Sequence, residues 1–182
     1  MFLLIFGGLA VFVILFVWGL YNSFITLRVR IKEAWSGIDV QLKRRADLIP
    51  NLVESVKGIM NQEQEVFGMI ADARTKYAGA ATVNEKVGAA TEVESALSRL
   101  LVVMENYPEL KSAENVNTLM AQLEGTENRI SVERGRFNNA VRDYNVMVKR
   151  FPANVLAGMF GYGERNYFEA AKDSENAPSV KF

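Results

Sequence analysis

The sequence predicts an all-α protein: an N-terminal transmembrane helix followed by a long-helix antiparallel bundle of three to four helices. Three observations lead there. Residues 1–27 carry no charged side chain. Beyond them, apolar residues recur at alternating spacings of three and four over long stretches, the signature of one helical face. No stretch shows the period-two alternation of a strand.

The first element is the anchor. Phe2–Leu20 reads FLLIFGGLAVFVILFVWGL. A helix rises about 1.5 Å per residue, so about 20 residues cross the roughly 30 Å hydrocarbon core. Trp18 and Tyr21 close the run, where amphipathic rings favour the headgroup level. A cleaved signal peptide fits less well. No Lys or Arg precedes the run, the run is long, and VWGLYNS offers no small-x-small cleavage site. A buried core helix is also a poor fit, since so long an apolar run is unusual for so small a domain. Arg28, Arg30 and Lys32 follow at the interface, and Lys43, Arg44 and Arg45 lie a little further on. Basic residues near a span stay in the cytoplasm, so the expected topology has the N-terminus outside and the rest cytoplasmic.

The second element begins at Phe24. The three-four walk gives Phe24, Arg28, Ile31, Trp35, Ile38, Leu42, Arg45, Ile49, Leu52, Val56, Ile59, Glu63, Val66, Ile70, Ala73 and Tyr77. Its phase is intact across Pro50, which predicts one long helix to about Tyr77, bent near the proline. Two helices meeting at Asp47–Pro50 are the alternative. Trp35, Leu42 and Leu52 are expected to be buried, as are Phe137 and Val141 further on. After Ala78–Ala81, Thr82 and Glu85 have capping-box spacing and open a shorter helix to about Asn106. Tyr107-Pro108 stops it. A third walk starts near Ser112 and runs through Val116, Met120, Leu123, Glu127, Ile130, Arg134, Phe137, Val141, Tyr144, Val148 and Phe151, before Pro152 ends it. A short apolar turn covers 153–160. The organisation expected is therefore an anchor over 1–21, a cytoplasmic helical bundle over 22–160 and an aromatic-containing tail over 161–182. The middle helix is too short to cover both neighbours, so an open coiled-coil-like seam is expected to pack on another copy.

Composition removes several function classes. The 21 Lys and Arg balance 21 Asp and Glu, so no net positive charge argues for nucleic acid. There is no Cys and no His, which takes away thiol chemistry, the commonest general base and the commonest transition-metal ligand. Glu124 and Glu127 have three-residue spacing, but a di-metal bundle site usually adds Glu-x-x-His pairs. No phosphate-binding loop or nucleophile elbow is present. The expectation is no enzyme, no catalytic residue, no metal site and no cofactor.

Four charged residues fall on the seams: Arg45, Glu63, Glu127 and Arg134. An unpaired buried charge is costly, so they either reach water from bundle ends or form a buried polar network. Asp39, Asn128, Asn138 and Asn145 adjoin them. In the tail, Val180 and Phe182 are candidate docking residues, because the polar run 172–176 and Pro178 separate them from the bundle. Tyr167 and Phe168 have a local alternative, packing on the end of their own bundle.

EAWSGIDVQLKRRADLIPNLVESVKG at 33–58, ENYPELK at 105–111, TENRISVERGRFNNAVRDYN at 126–145, FP at 151–152, YFE at 167–169 and the closing APSVKF together resemble the LemA family. The resemblance runs over almost the whole chain. The first motif is specific, whereas 59–104 is less diagnostic. It implies a bacterial cell-membrane (inner-membrane) protein with one N-terminal span, an outside N-terminus and a cytoplasmic helical bundle. It brings no catalytic residues. One relative belongs to the magnetosome membrane, and genes of the family often lie near those for a membrane zinc metalloprotease. The expected function is a non-enzymatic, membrane-anchored scaffold that self-assembles or organises membrane complexes, with the lipid bilayer and further copies as partners. The alternative is an adaptor or regulatory partner of a membrane protease or another integral complex.

Overall fold

A computed structural model of the chain describes residues 1–60 and 62–168. These residues form six helices and no strand. They are α1 (Phe2–Lys57), α2 (Gln64–Gly79), α3 (Val83–Met104), α4 (Pro108–Lys111), α5 (Glu114–Lys149) and α6 (Ala153–Met159).

Helix α1 has 56 residues, about 84 Å at the usual rise. It passes through Pro50 and ends at Lys57. The expected continuation to Tyr77 is corrected here: the chain leaves the helix at Gly58 and α2 starts at Gln64. The three-four phase survives because the intervening segment happens to preserve it. The exception shows the break. Ile59 is exposed, and its neighbour Met60 is fully buried instead.

The described chain divides into two compact units. The four-helix unit spans Ile38–Val132 and packs α2, α3 and segments of α1 and α5, with the one-turn α4 between α3 and α5. Within it α1 and α3 run parallel, because Lys86 near the start of α3 donates to Asp39 at 2.7 Å. Helices α2 and α3 form a hairpin, with Lys76 paired to Glu92 at 2.6 Å. The turn between them carries the capping box read from the sequence: the Thr82 hydroxyl accepts from the Glu85 N–H, and the Glu85 carboxylate accepts from the Thr82 N–H. The core is mainly aliphatic, with Phe67 among its buried residues. Ile49, Leu52 and Val56 from α1 meet Val66 and Ile70 from α2, Val93, Leu97 and Leu100 from α3, and Val116 and Leu123 from α5. Each large side chain buried in this way contributes about 1.5–3 kcal/mol.

The anchor unit comprises Met1–Gly37 and Glu133–Phe168. Helices α1 and α5 run antiparallel here: Phe24 packs edge-on to Tyr144, and Trp35 edge-on to Phe137. Gly37 faces Glu133 so closely that a Cβ would lie 2.7 Å from its Oε2. Helix α6 covers the pair with Ala153 and Ala157, both buried beside Phe24 and Tyr144. Its C-terminal end has the Schellman pattern. The Tyr162 N–H donates to the Ala157 carbonyl at 2.8 Å, the Gly161 N–H points to the Gly158 carbonyl, and Gly161 takes φ +68. That left-handed residue turns the chain into an extended segment, 162–168, which lies along α5. The apolar run at the start of α1 has no cover, and Met1–Phe16 are exposed throughout.

Candidate functional site

Three of the four seam charges, Arg45, Glu63 and Glu127, lie in the four-helix unit, and Arg134 lies in the anchor unit. Arg45 and Glu127 form an ion pair between α1 and α5 of the four-helix unit, with side chains 8% and 38% exposed. The Arg45 Nε is buried without a hydrogen-bond partner among the described residues, so the guanidinium depends on Glu127 for compensation. Glu63 lies outside the seam, in the segment before α2, where it accepts from the Tyr107 hydroxyl at 3.1 Å. The walk placed it inward only because it assumed one continuous helix. Arg134 belongs to the anchor unit and stacks over the Phe168 ring at 4.7 Å from its centroid. Of the adjoining polar residues, Asp39 pairs with Lys86, while Asn138 and Asn145 hold backbone. Asn128 is exposed.

Tyr77 shows how polar groups in the four-helix unit respond to burial. Its phenol is pushed up to about 12, first by desolvation and then by the carboxylates of Asp39 and Asp47. It therefore stays neutral and serves as a packing residue. No group of three or more Asp and Glu able to hold a metal ion occurs among the described residues.

The most constructed feature is the clasp that fastens the extended segment in the anchor unit. The Asn145 Oδ1 accepts from the Arg165 N–H at 2.8 Å, and its Nδ2 donates to the Arg165 carbonyl at 2.9 Å. Asn138 repeats this one step along: Oδ1 accepts from the Phe168 N–H at 2.8 Å, and Nδ2 donates to the Phe168 carbonyl at 3.0 Å. The spacing explains the repeat. Seven residues of helix advance about 10.5 Å, and three residues of extended chain advance about 10 Å. Two asparagines seven apart on α5 thus match two backbone units three apart, running in the opposite direction. An amide side chain carries an NH2 donor beside a carbonyl acceptor, so it replaces the strand neighbour that this backbone lacks. Lys149 adds an ion pair to Glu164 at 2.8 Å, which holds the ammonium above its ordinary range.

Aromatic rings fill the space under the clasp. Phe168 is buried and stacks on Trp35, 6.3 Å between centroids, and Tyr162 tilts over Phe24 at 5.1 Å. Trp35 is only partly buried, which corrects the expectation that it is buried, and its ring contacts those of Phe137 and Phe168. Leu42, Leu52, Phe137 and Val141 are all buried. Residues 162–168 form neither helix nor strand, and Glu164, Arg165 and Phe168 are held to α5 by the contacts above. The local-packing alternative holds for Phe168, while Tyr167 stays outward. Val180 and Phe182 lie outside the described residues.

At the interface end, Trp18 is exposed and Tyr21 meets Phe160 edge-on at 5.4 Å. Arg28 lies over the Tyr162 ring at 5.4 Å. Arg30 and Lys32 are exposed. Phe151 corrects the last step of the third walk: α5 has ended at Lys149, so the ring leaves the seam and is exposed.

An apolar helix of spanning length, continuous with a helical bundle whose end is fastened by an asparagine clasp, defines a class of membrane-associated helical proteins. A profile of the LemA family matches residues 34–182. The chain belongs to that family. It is similar to Magnetosome protein MamQ 2 and MamQ 1 of Paramagnetospirillum magneticum, 26% identical over 175 residues covering 82% of this chain. It is also similar to Magnetosome protein MamQ of Magnetospirillum gryphiswaldense, 27% identical over 175 residues covering 81%. The matched region is 64% of the length of each of these relatives.

Proposed function

We propose that this chain is a non-enzymatic, membrane-anchored helical scaffold that self-assembles and organises membrane or membrane-protein complexes. The observation that carries the reading is α1. Within the anchor unit one unbroken helix supplies both the exposed apolar run and the buried face at Phe24, so no linker separates the run from the residues that pack in that unit. A stiff connection of this kind suits fixing positions at a membrane. The magnetosome designation of the similar proteins supports a role in membrane organisation. In this reading the chain crosses a bacterial inner membrane once, with the N-terminus outside and the bundle cytoplasmic. Reporters fused after Phe182 and before Met1 test that topology, and an extracytoplasmic C-terminal reporter overturns it.

A second reading has a specific observation of its own. A cavity of about 600 Å³ in the four-helix unit is lined by Leu97, Leu101 and Met120, with Arg45, Glu124 and Glu127 around them. A cavity lined by both apolar and charged side chains suits a peptide segment of another protein, which favours an adaptor for a membrane protease or another integral complex. Crosslinking in cells followed by mass spectrometry separates the two. Links between copies of the chain support the scaffold, and links exclusively to a different membrane protein replace it with the adaptor.

A further inference from the structure

The apolar face of α6 has no cover within the anchor unit. Val155 and Met159 are four apart on α6 and share one helical face, Phe151 stands in the turn just before the helix, and the three are 54%, 75% and 77% exposed in that order. The opposite face is formed by Ala153 and Ala157, which are buried against α1 and α5. Single exposed apolar residues are ordinary on any protein surface. These three form a stripe, and Phe160 extends it.

The level of the stripe along α1 identifies what it meets. Leu20 ends the apolar run, and Tyr21 touches Phe160. Because α5 pairs antiparallel with α1 and sets Tyr144 beside Phe24, its end at Lys149, two residues before Phe151, has advanced about 7.5 Å further toward the anchor. That brings Phe151 to the level of Trp18 and Tyr21, where a helix leaves the hydrocarbon. Charge agrees with the position. Residues 144–163 contain no Asp or Glu, and Arg150 beside the stripe is exposed. Basic residues and aromatic rings together suit a surface of anionic lipid.

We propose that Phe151, Val155, Met159 and Phe160 rest in the headgroup–acyl boundary of the bilayer that the apolar start of α1 crosses, giving the chain a second lipid contact. The proposal rests on the anchor reading above and adds to it. A free helix of seven residues is too short to bind a membrane by itself. Here α6 is held beside the anchor by Ala153, Ala157 and the Tyr162 turn, so binding orders nothing new. The contact fixes how the anchor unit is rotated about α1, which a lone span leaves free.

The chain has no Cys, so single labels are clean. F151C, V155C and M159C are each labelled with an environment-sensitive fluorophore. The full chain is placed in vesicles of phosphatidylethanolamine and phosphatidylglycerol, with and without lipids doxyl-labelled near the headgroup. L9C serves as the span control and R136C as an exposed control on α5. The expected result is a blue-shifted emission that falls roughly twofold with doxyl lipid at all three sites, with R136C unchanged. Water-like emission at the three sites with L9C lipid-immersed overturns the inference and leaves the anchor reading standing. Water-like emission at L9C as well overturns both. Blue-shifted emission that doxyl lipid leaves unquenched means that protein covers the face, and this also overturns the inference.

Discussion

The four-helix unit and the anchor unit solve the same packing problem by different means. In the four-helix unit, four amphipathic helices close on one another. Aliphatic residues such as Ile49, Leu52, Val93 and Leu100 dominate, and the backbone is satisfied within the helices. In the anchor unit, two long helices meet and one flank of their seam stays open. The cover is α6 and an extended segment, and extended backbone brings unpaired N–H and carbonyl groups with it. Aromatic rings fill the larger gap, and Asn138 and Asn145 satisfy the backbone. Where helices cover helices, apolar side chains make up most of the core, with the Arg45–Glu127 ion pair between α1 and α5. Where extended chain covers helices, specific polar side chains are required.

This contrast is broken most forcefully by truncation in the aliphatic core. Leu52→Ala is expected to destabilise by about 2–5 kcal/mol, read by thermal or denaturant unfolding, because Leu52 is fully buried. An unchanged midpoint would refute the core assignment. The ion pair comes next. Glu127→Leu leaves Arg45 stranded at a cost of about 1–3 kcal/mol, reduced from a fully buried pair because water reaches Glu127. Arg45→Leu in the same chain should recover much of that loss. A double variant whose effects simply add would show that the two groups do not interact.

Asn145→Ala tests the clasp itself. Losing two hydrogen bonds at a buried site costs about 1–3 kcal/mol. The specific readout is faster amide exchange at Arg165 with helicity and core unfolding unchanged. If exchange there stays slow, the asparagine does not hold the segment. The smallest effect belongs to the capping box. Hydrogen bonds from the Thr82 and Ala81 N–H groups hold the Glu85 carboxyl below its ordinary range. A lowered acid pKa stabilises the folded state above the unfolded value of 4.5, and that stabilisation is lost as pH falls through the folded value. In an acid titration of helicity, Glu85→Ala should remove this component of the response while leaving the neutral-pH fold in place.

Much of the helical pattern was legible in the sequence, for identifiable reasons. The span, the α3 start at Thr82 and Glu85, the stop at Pro108 and the end of α5 before Pro152 all rest on local signals. The break at 58–63 was hidden because Val56, Glu63 and Val66 stay in phase across it. Gly58 beside the polar Gln62, Glu63 and Gln64 was the available hint. Arg45 and Glu127 each stood out as a charge on a seam, but no local signal joined them, since the pairing depends on antiparallel register. The clasp was illegible for a deeper reason. Asn138 and Asn145 bind main chain, which carries no identity in the sequence, so only their seven-residue spacing and the aromatics at 162–168 pointed to it.

The central claim is that the anchored bundle assembles with copies of itself. Measuring the protein mass of the full chain in mild detergent, by size-exclusion chromatography with light scattering over a wide concentration range, tests it most directly. A defined multiple of the 20.4 kDa chain is the predicted result. A strictly monomeric particle at every concentration would contradict it.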